Sequence, residues 1–271
     1  MDRVFSRGCY FPGCSSINKC SVTECATSTT RIALVTGANK GLGAETSRQL
    51  ARQGIKVLMG SRSGTRGKAT FKKLRDEGLD VELIHLDVTK PEHIRKVVQY
   101  VKERFGRLDI LVNNAAIAHP EDTLSENSTE TVSPKVLRAT FDVNFFGLVK
   151  LTQGLLPLIK KSDAGRIVNV ASILGSLTIH STEGSEGHFK PFAYDASKTA
   201  VNAFTIHLAA ALKDTPIKVN SAHPGWVKTD MGGEQAPVNV EEGAKTAVRL
   251  ATLGPDGPTG KFLHLEEELP W

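Results

Sequence analysis

Cysteine is absent from the chain after Cys25. All four cysteines (Cys9, Cys14, Cys20 and Cys25) fall within the first 25 of 271 residues. The body of the protein therefore has no disulfide staple, which fits a reducing, cytoplasmic setting. The four cysteines follow a C-x4-C-x5-C-x4-C pattern. Without the C-x2-C knuckles that grip zinc, no metal is expected. Long apolar runs are also missing: none reaches the length that crosses a bilayer, so no membrane partner is expected. Lys and Arg outnumber Asp and Glu, 34 to 29, yet they form no block and no aromatic stripe runs between them. That pattern argues against a nucleic-acid partner and suits a phosphate-bearing small ligand better. Hydrophobic residues make up 40% and charged residues 23%, the balance of a chain that folds around a core.

Residues 1–30 differ from the rest. They are rich in Ser and Thr, with Arg3, Arg7 and Lys19 set against Asp2 and Glu24. This extension reads as a disordered tail or the product of an early start codon. Its composition leans toward an organelle import segment, but it has neither an amphipathic arginine face nor a secretory apolar region.

From Arg31 the pattern changes. IALVTG, IKVLMG (55–60), VELIHLD (81–87), LDILVNNA (108–115), GRIVNVAS (165–172) and IKVNSAHPG (217–225) are short β-rich apolar runs. Helix-length segments lie between them at 42–53, 64–77, 91–105, about 133–161, about 192–213 and 241–253. GKFLHL (260–265) adds a last short strand at one edge. Near-continuous apolar strands alternating with helices give a parallel sheet covered on both faces. Residues 31–271 therefore read as one α/β domain, doubly wound and Rossmann-type, with a seven-stranded parallel sheet. Ligands of such sheets bind beyond the carboxyl ends of the strands, at the switch point. Functional residues should lie there or on the helices that follow.

TGANKGLG (36–43) ends the first strand and opens a helix. Gly37, Gly41 and Gly43 permit a tight turn and close approach of a pyrophosphate to the helix N-terminus, with Asn39, Lys40 and Leu42 beside it. The second strand ends in LMGSRSG. An acid there would accept from a ribose 2′-hydroxyl; instead Arg62 stands there, with Lys40 in the loop. Guanidinium binds a 2′-phosphate that a carboxylate would repel, so NADP is expected over NAD. The other reading of Arg62 is a solvated loop residue. Asp87 and Val88 end the third strand, where Asp87 could accept the exocyclic amine of adenine. Asn113, Asn114, Ala115 and Ala116 end the fourth, where small residues let a ribose approach; the two asparagines could equally tie neighbouring loops together.

TGANKGLG, NNAA, Asn144 in FDVNFFG, Ser172 in VNVASILGS, YDASK (194–198) and HPGWVKTDM occur in the order seen in the short-chain dehydrogenase/reductase family. The chain resembles that family over essentially all of 31–271. The long gap before Tyr194 and the presence of Arg62 resemble its NADPH-dependent carbonyl reductase branch. The resemblance implies Tyr194 as the general acid that protonates a carbonyl oxygen. Free tyrosine titrates near pKa ~10, and Lys198, one helical turn on, would lower that value and hydrogen-bond the nicotinamide ribose. Ser172 would hold the substrate oxygen, with a turn cap as its other reading. Asn144 would bind a water that relays protons from Lys198, or make a helix–helix hydrogen bond. Pro224, Gly225, Val227 and Thr229 would shape the nicotinamide pocket.

His223 is read as structural, while His180 and His188 fall in a loop that could touch substrate. The segment between Ser172 and Tyr194 is expected to be an exposed loop at the pocket edge. Residues 226–240 resemble a substrate lid, with Trp226 and Met231 as an apolar wall or as core. A small carbonyl or alcohol substrate and a monomer or homodimer are expected. Two other readings stay open: a catalytically silent NADP(H) sensor or scaffold, and an NAD-dependent alcohol dehydrogenase.

Overall fold

A computed structural model describes residues 30–123, 129–183 and 191–271. The expectations for the extension 1–30 (Thr30 apart), for His188 and for the middle of the Ser172–Tyr194 segment lie outside the described residues. The apolar runs become strands β1 (Ile32–Thr36), β2 (Lys56–Ser61), β3 (Val81–His85), β4 (Ile110–Asn113), β5 (Arg166–Val170) and β6 (Lys218–Ala222). With β7 (Phe262–His264) they pair in parallel in the order β3-β2-β1-β4-β5-β6-β7. The chain reverses its direction of travel between β1 and β4, which opens a crevice at their carboxyl ends.

The sheet has eight strands rather than seven. β8 (Glu267–Glu268) folds back antiparallel on β7, pairing Leu263 with Glu268 and His264 with Glu267. Two consecutive glutamates carry no β signal, and the turn places Leu265 at φ 51° without a glycine to announce it.

Alternate residues of each strand feed opposite faces of the sheet. Leu34, Leu58, Leu111, Ile167 and Val219 pack beneath α3 (Pro91–Phe105) and α5 (Leu148–Ile159). Val35, Val57, Met59, Val112 and Val168 pack beneath α1 (Gly41–Arg52), α2 (Gly64–Asp76) and α8 (Val240–Ala251). Burial on both faces explains why these strands read as unbroken apolar runs. Helix boundaries follow local chemistry. Ser63 and Asn239 cap α2 and α8 through their side chains, and α3 starts on Pro91 and stops at Gly106, whose φ is 72°.

The single helix expected over 133–161 is three pieces. α4 (Pro134–Phe141) runs into a π-helical segment, Asp142–Gly147, before α5 begins. Gly147 lies against the end of β3: a Cβ there would stand 2.8 Å from the Val88 carbonyl oxygen. No helix among the described residues is long and apolar enough to cross a membrane.

Candidate active site

The glycine loop leaves β1 at the crevice. Gly37 and Gly41 have φ of 65° and 52°, a backbone that a side chain would strain. A Cβ on Gly43 would lie 2.4 Å from the Gly37 oxygen and 2.5 Å from Asn114 Nδ2, so only glycine lets α1 start this close to the turn. The result is a side-chain-free cradle at a helix N-terminus, with Asn39 and Leu42 flanking it. The Asn39 carbonyl accepts from Thr70 Oγ1 at 2.7 Å. Leu42, Asn114, Val170, Ala222 and Pro224, with Gly243, line a cleft that runs from this cradle toward the ends of β5 and β6.

Asn113 and Asn114 tie elements together, one of the two roles open to them from sequence. Asn114 donates from Nδ2 to the Thr36 carbonyl at 2.8 Å and takes a backbone bond to Thr36 Oγ1 at 2.9 Å. Its side chain is spent on shaping the glycine turn. Asn113 points away from the cleft, donating to Thr152 and Asn169, both at 2.9 Å. Ala115 and Ala116 follow on the cleft side of β4, with Ala115 Cα 3.0 Å from where a Gly37 Cβ would stand.

Two cations mark the far end of the crevice. Arg62 is exposed just past β2. Lys40 bonds to Asp230 in the segment after β6, which links the glycine loop to the expected lid. Burial pulls Asp87 toward its neutral form, but hydrogen bonds from Thr89 and the charge of Arg62 outweigh that and hold its pKa below the ordinary value. Arg62 and Asp87 are therefore neighbours, and the carboxylate stays ionised.

The YDASK residues lie in the first turns of α7 (Phe192–Ala211). Lys198 is 3% exposed; its Nζ stands 5.5 Å from the centre of the Tyr194 ring and donates to the Val170 carbonyl at 2.8 Å. Ser172, directly past β5, lies close enough to the Tyr194 phenol to favour its ionised form. Its Oγ accepts from Leu174 N at 3.2 Å, which is the turn cap allowed for from sequence. Burial pushes the Tyr194 phenol up to about 12, with the Asp195 carboxylate adding to it and the Ser172 bond opposing it. Burial also pushes Lys198 down to about 8. Sequence reasoning expects Lys198 to lower the tyrosine. Here the lowering comes from Ser172 instead, burial outweighs it, and the phenol is held protonated, as a proton donor needs.

The Asn144 amide makes three hydrogen bonds. Oδ1 accepts from Ile117 N at 2.8 Å, and Nδ2 donates to Ile117 O at 2.9 Å and Ser197 Oγ at 3.0 Å. This is the helix–helix bond allowed for from sequence. Both Nδ2 hydrogens are used in these bonds, while Oδ1 keeps a second lone pair as an acceptor.

The stretch after Ser172 is more ordered than the loop expected. A 3₁₀ turn (Ile173–Gly175) and a short helix, α6 (Leu177–Ser181), occupy it. His180 Nε2 meets the Leu174 carbonyl at 2.9 Å, which makes it a structural tie. Gly175 lies flat on α7. A Cβ there would stand 2.6 Å from the Lys198 carbonyl carbon, and the Gly175 oxygen accepts from Thr199 at 3.0 Å. Gly175→Ala is expected to cost about 1–3 kcal/mol by forcing the turn off the helix, and to lower turnover because Ser172 moves with it. Urea melts and steady-state kinetics of the variant measure both effects.

After β6, Val227 bridges to Val238 and closes the base of the segment 228–237. Thr229 rests against Gly41, its Cγ2 3.3 Å from where a Gly41 Cβ would stand. Gly225 turns the chain at φ 84°, after Pro224. Trp226 is 56% and Met231 48% exposed, which places them at the surface rather than in the core; Trp226 Nε1 donates to Gly232 O at 2.8 Å.

His223 sits at the start of this turn. Burial and then His264 push it down to about 4. Unfolded, it takes a proton near its ordinary value, so its contribution is complete above pH ~6.5 and is lost as pH falls toward 4. His223→Phe should flatten the acid-side fall in stability by about 1–3 kcal/mol, read from urea midpoints between those pH values.

A family model described as short chain dehydrogenase matches residues 31–239. NADPH carbonyl reductase 1 of Mus musculus is 34% identical over 279 residues, spanning 89% of this chain and 98% of its own length. Salutaridine reductase of Papaver bracteatum is 33% identical over 297 residues, spanning 88% of this chain and 95% of its own. Among solved structures, the NADPH-bound carbonyl reductase from chicken fatty liver superposes with a TM-score of 0.77 at 28% identity, covering 89% of this chain and 99% of that one. On the family match, the relatives' identity and the Rossmann-type sheet, the chain belongs to the short-chain dehydrogenase family of oxidoreductases and resembles its carbonyl reductases.

Proposed function

We propose that the protein is an NADPH-dependent oxidoreductase that reduces a ketone or aldehyde to an alcohol, with Tyr194 as the general acid. The observation that carries this reading is the cluster of Tyr194, Ser172 and Lys198 at the end of β5, where Lys198 bonds the carbonyl of Val170, a residue that lines the cleft beside the glycine cradle. Gly37, Asn39, Gly41, Leu42 and Gly43 would hold the pyrophosphate, and Lys40 and Arg62 the 2′-phosphate. Asp87 and Val88 would border the adenine, Ala115 and Ala116 the ribose. Pro224, Gly225, Val227 and Thr229 would border the nicotinamide, with Asn114 keeping the cradle in shape. The absence of any acid past β2 and the presence of two cations there favour NADPH over NADH. When bound, the cofactor supplies the hydride that reaches the carbonyl carbon.

The chain's own residues do the rest. Ser172 donates to the carbonyl oxygen, fixing it beside the phenol and stabilising the charge that develops there. Tyr194 gives its proton to that oxygen. Lys198 presents a cation one turn below the phenol and eases the charge left on it. Asn144 holds Ile117 and Ser197, and through them the strand end and the helix start. The exposed faces of Trp226 and Met231 offer an apolar lid that would exclude water.

Following NADPH and NADH consumption across a panel of aldehydes, ketones and quinones tests the reading. Turnover with NADPH in clear preference to NADH is expected. Tight NADPH binding without any turnover would point to a sensor, and preference for NADH would overturn the cofactor assignment.

A further inference from the structure

α7 carries the reactive pair but has no cap of its own. It begins at Phe192 after Pro191, which makes no side-chain cap bond. The first N–H groups of a helix need acceptors from somewhere. Asp122, in the 3₁₀ turn Pro120–Thr123 beyond β4, supplies them. Its Oδ1 accepts from Ala193 N at 3.1 Å and its Oδ2 from Tyr194 N at 2.9 Å. Asp122 is only 2% exposed. A carboxylate against two amides at the positive end of a helix makes charge-assisted bonds, and in dry surroundings no water can replace it. One of the two amides belongs to Tyr194 itself.

The other side of the Tyr194 backbone is held as well. Ser197 Oγ donates to Tyr194 O at 2.7 Å and accepts from Asn144 Nδ2 at 3.0 Å. The Asn144 amide grips both backbone groups of Ile117, and Ile117 leads by a few residues of chain to Asp122. The contacts close into a ring that leaves Tyr194 by its N–H and returns to it by its carbonyl. A helix needs only some acceptor at its start. This ring does more: it ties the backbone of the tyrosine to the segment leaving β4, which borders the cleft proposed to hold the cofactor.

We infer that Asp122 is a positioning residue for Tyr194, coupling the segment after β4 to the tyrosine backbone and so holding the phenol where the carbonyl oxygen must lie. The inference rests on the proposed role of Tyr194 as proton donor. Asp122 touches neither substrate nor cofactor in that scheme, so its loss should appear in kcat and not in binding.

The test compares wild type, Asp122→Ala and Asp122→Asn. Melting temperature, NADPH affinity by fluorescence, and kcat and KM with a carbonyl that wild type reduces are measured well below each melting point. For the Ala variant the expectation is NADPH affinity and KM within about threefold of wild type and kcat lower by about 10²-fold, the cost of roughly 1 Å of misplacement. The Asn variant keeps one acceptor oxygen and should recover about tenfold of that loss. A folded Asp122→Ala protein with kcat within about threefold of wild type overturns the inference, as does a kcat loss matched by equal loss of NADPH affinity. If neither variant folds, Ser197→Ala opens the ring at the Tyr194 carbonyl. A kcat fall of about tenfold at unchanged NADPH affinity then supports the ring, and an unchanged kcat overturns it. A wild-type protein that reduces no carbonyl defeats the functional reading and this role with it, whereas wild-type turnover with an unaffected Asp122→Ala defeats the role alone.

Discussion

Tyr194→Phe should lower carbonyl reduction by about 10²–10⁴-fold, the usual worth of a positioned general acid, while NADPH binding stays near its wild-type value. The substitution removes one oxygen and keeps the ring, so the packing of α7 is preserved. What goes is the proton donor and its interaction with Ser172. Burial holds the phenol near 12, so the tyrosine stays protonated across the whole neutral range and does not itself set the pH profile. Lys198 does: burial brings it to about 8, and above that pH the cation that eases charge on the phenol is lost. Wild-type reduction should therefore decline as pH rises through about 8. Rates across pH 6 to 10 read that decline, and initial rates with fluorescence titration of NADPH read the effect of Tyr194→Phe. A Tyr194→Phe protein as active as wild type would remove the proposed acid.

Arg62→Glu should reverse the cofactor preference. Arg62 is exposed past β2, beside Asp87 and with no acid at the strand end. A charge-assisted contact from guanidinium to phosphate contributes about 1.5–3 kcal/mol, or roughly 10–10²-fold in kcat/KM with NADPH. The glutamate adds repulsion of a 2′-phosphate and offers an acceptor to a 2′-hydroxyl, so NADH should gain as NADPH loses. Lys40→Ala should matter less, because Lys40 already has a partner in Asp230 and both groups are well exposed. The ratio of kcat/KM for the two cofactors in each variant is the measurement. An unchanged ratio in Arg62→Glu would make Arg62 the solvated loop residue that the sequence also allows.

The fold was legible wherever burial writes a pattern. β1, β2, β4 and β5 are buried on both faces and read as continuous apolar runs. β8 was not legible, because its two glutamates pair at an edge and bury nothing. The break at Asp142–Gly147 was hidden because no proline or turn signal marks it, and its Gly147 meets Val88, distant in sequence. In the site, the glycine loop was legible from its place between β1 and α1, whereas Tyr194, Lys198 and Ser172 were legible only through the family resemblance that the ordered motifs carry. Gly175 stood in plain sight, but its reason is a contact with Lys198 across the fold. Asp122 lies 72 residues before the amide it caps, and an acid in a proline-led turn otherwise looks like ordinary surface. A buried N-cap supplied from that far along the chain has no local signature; the missing cap before α7 was the one available hint.

The most direct test is the fate of a single deuterium. NADPH deuterated on the reactive carbon of its nicotinamide is incubated with a ketone, and the alcohol is analysed by mass spectrometry for wild type and Tyr194→Phe. The account predicts an alcohol with one deuterium on the carbinol carbon from wild type and almost none formed by Tyr194→Phe in the same time. Unlabelled alcohol from wild type, or labelled alcohol formed equally fast by Tyr194→Phe, would contradict it.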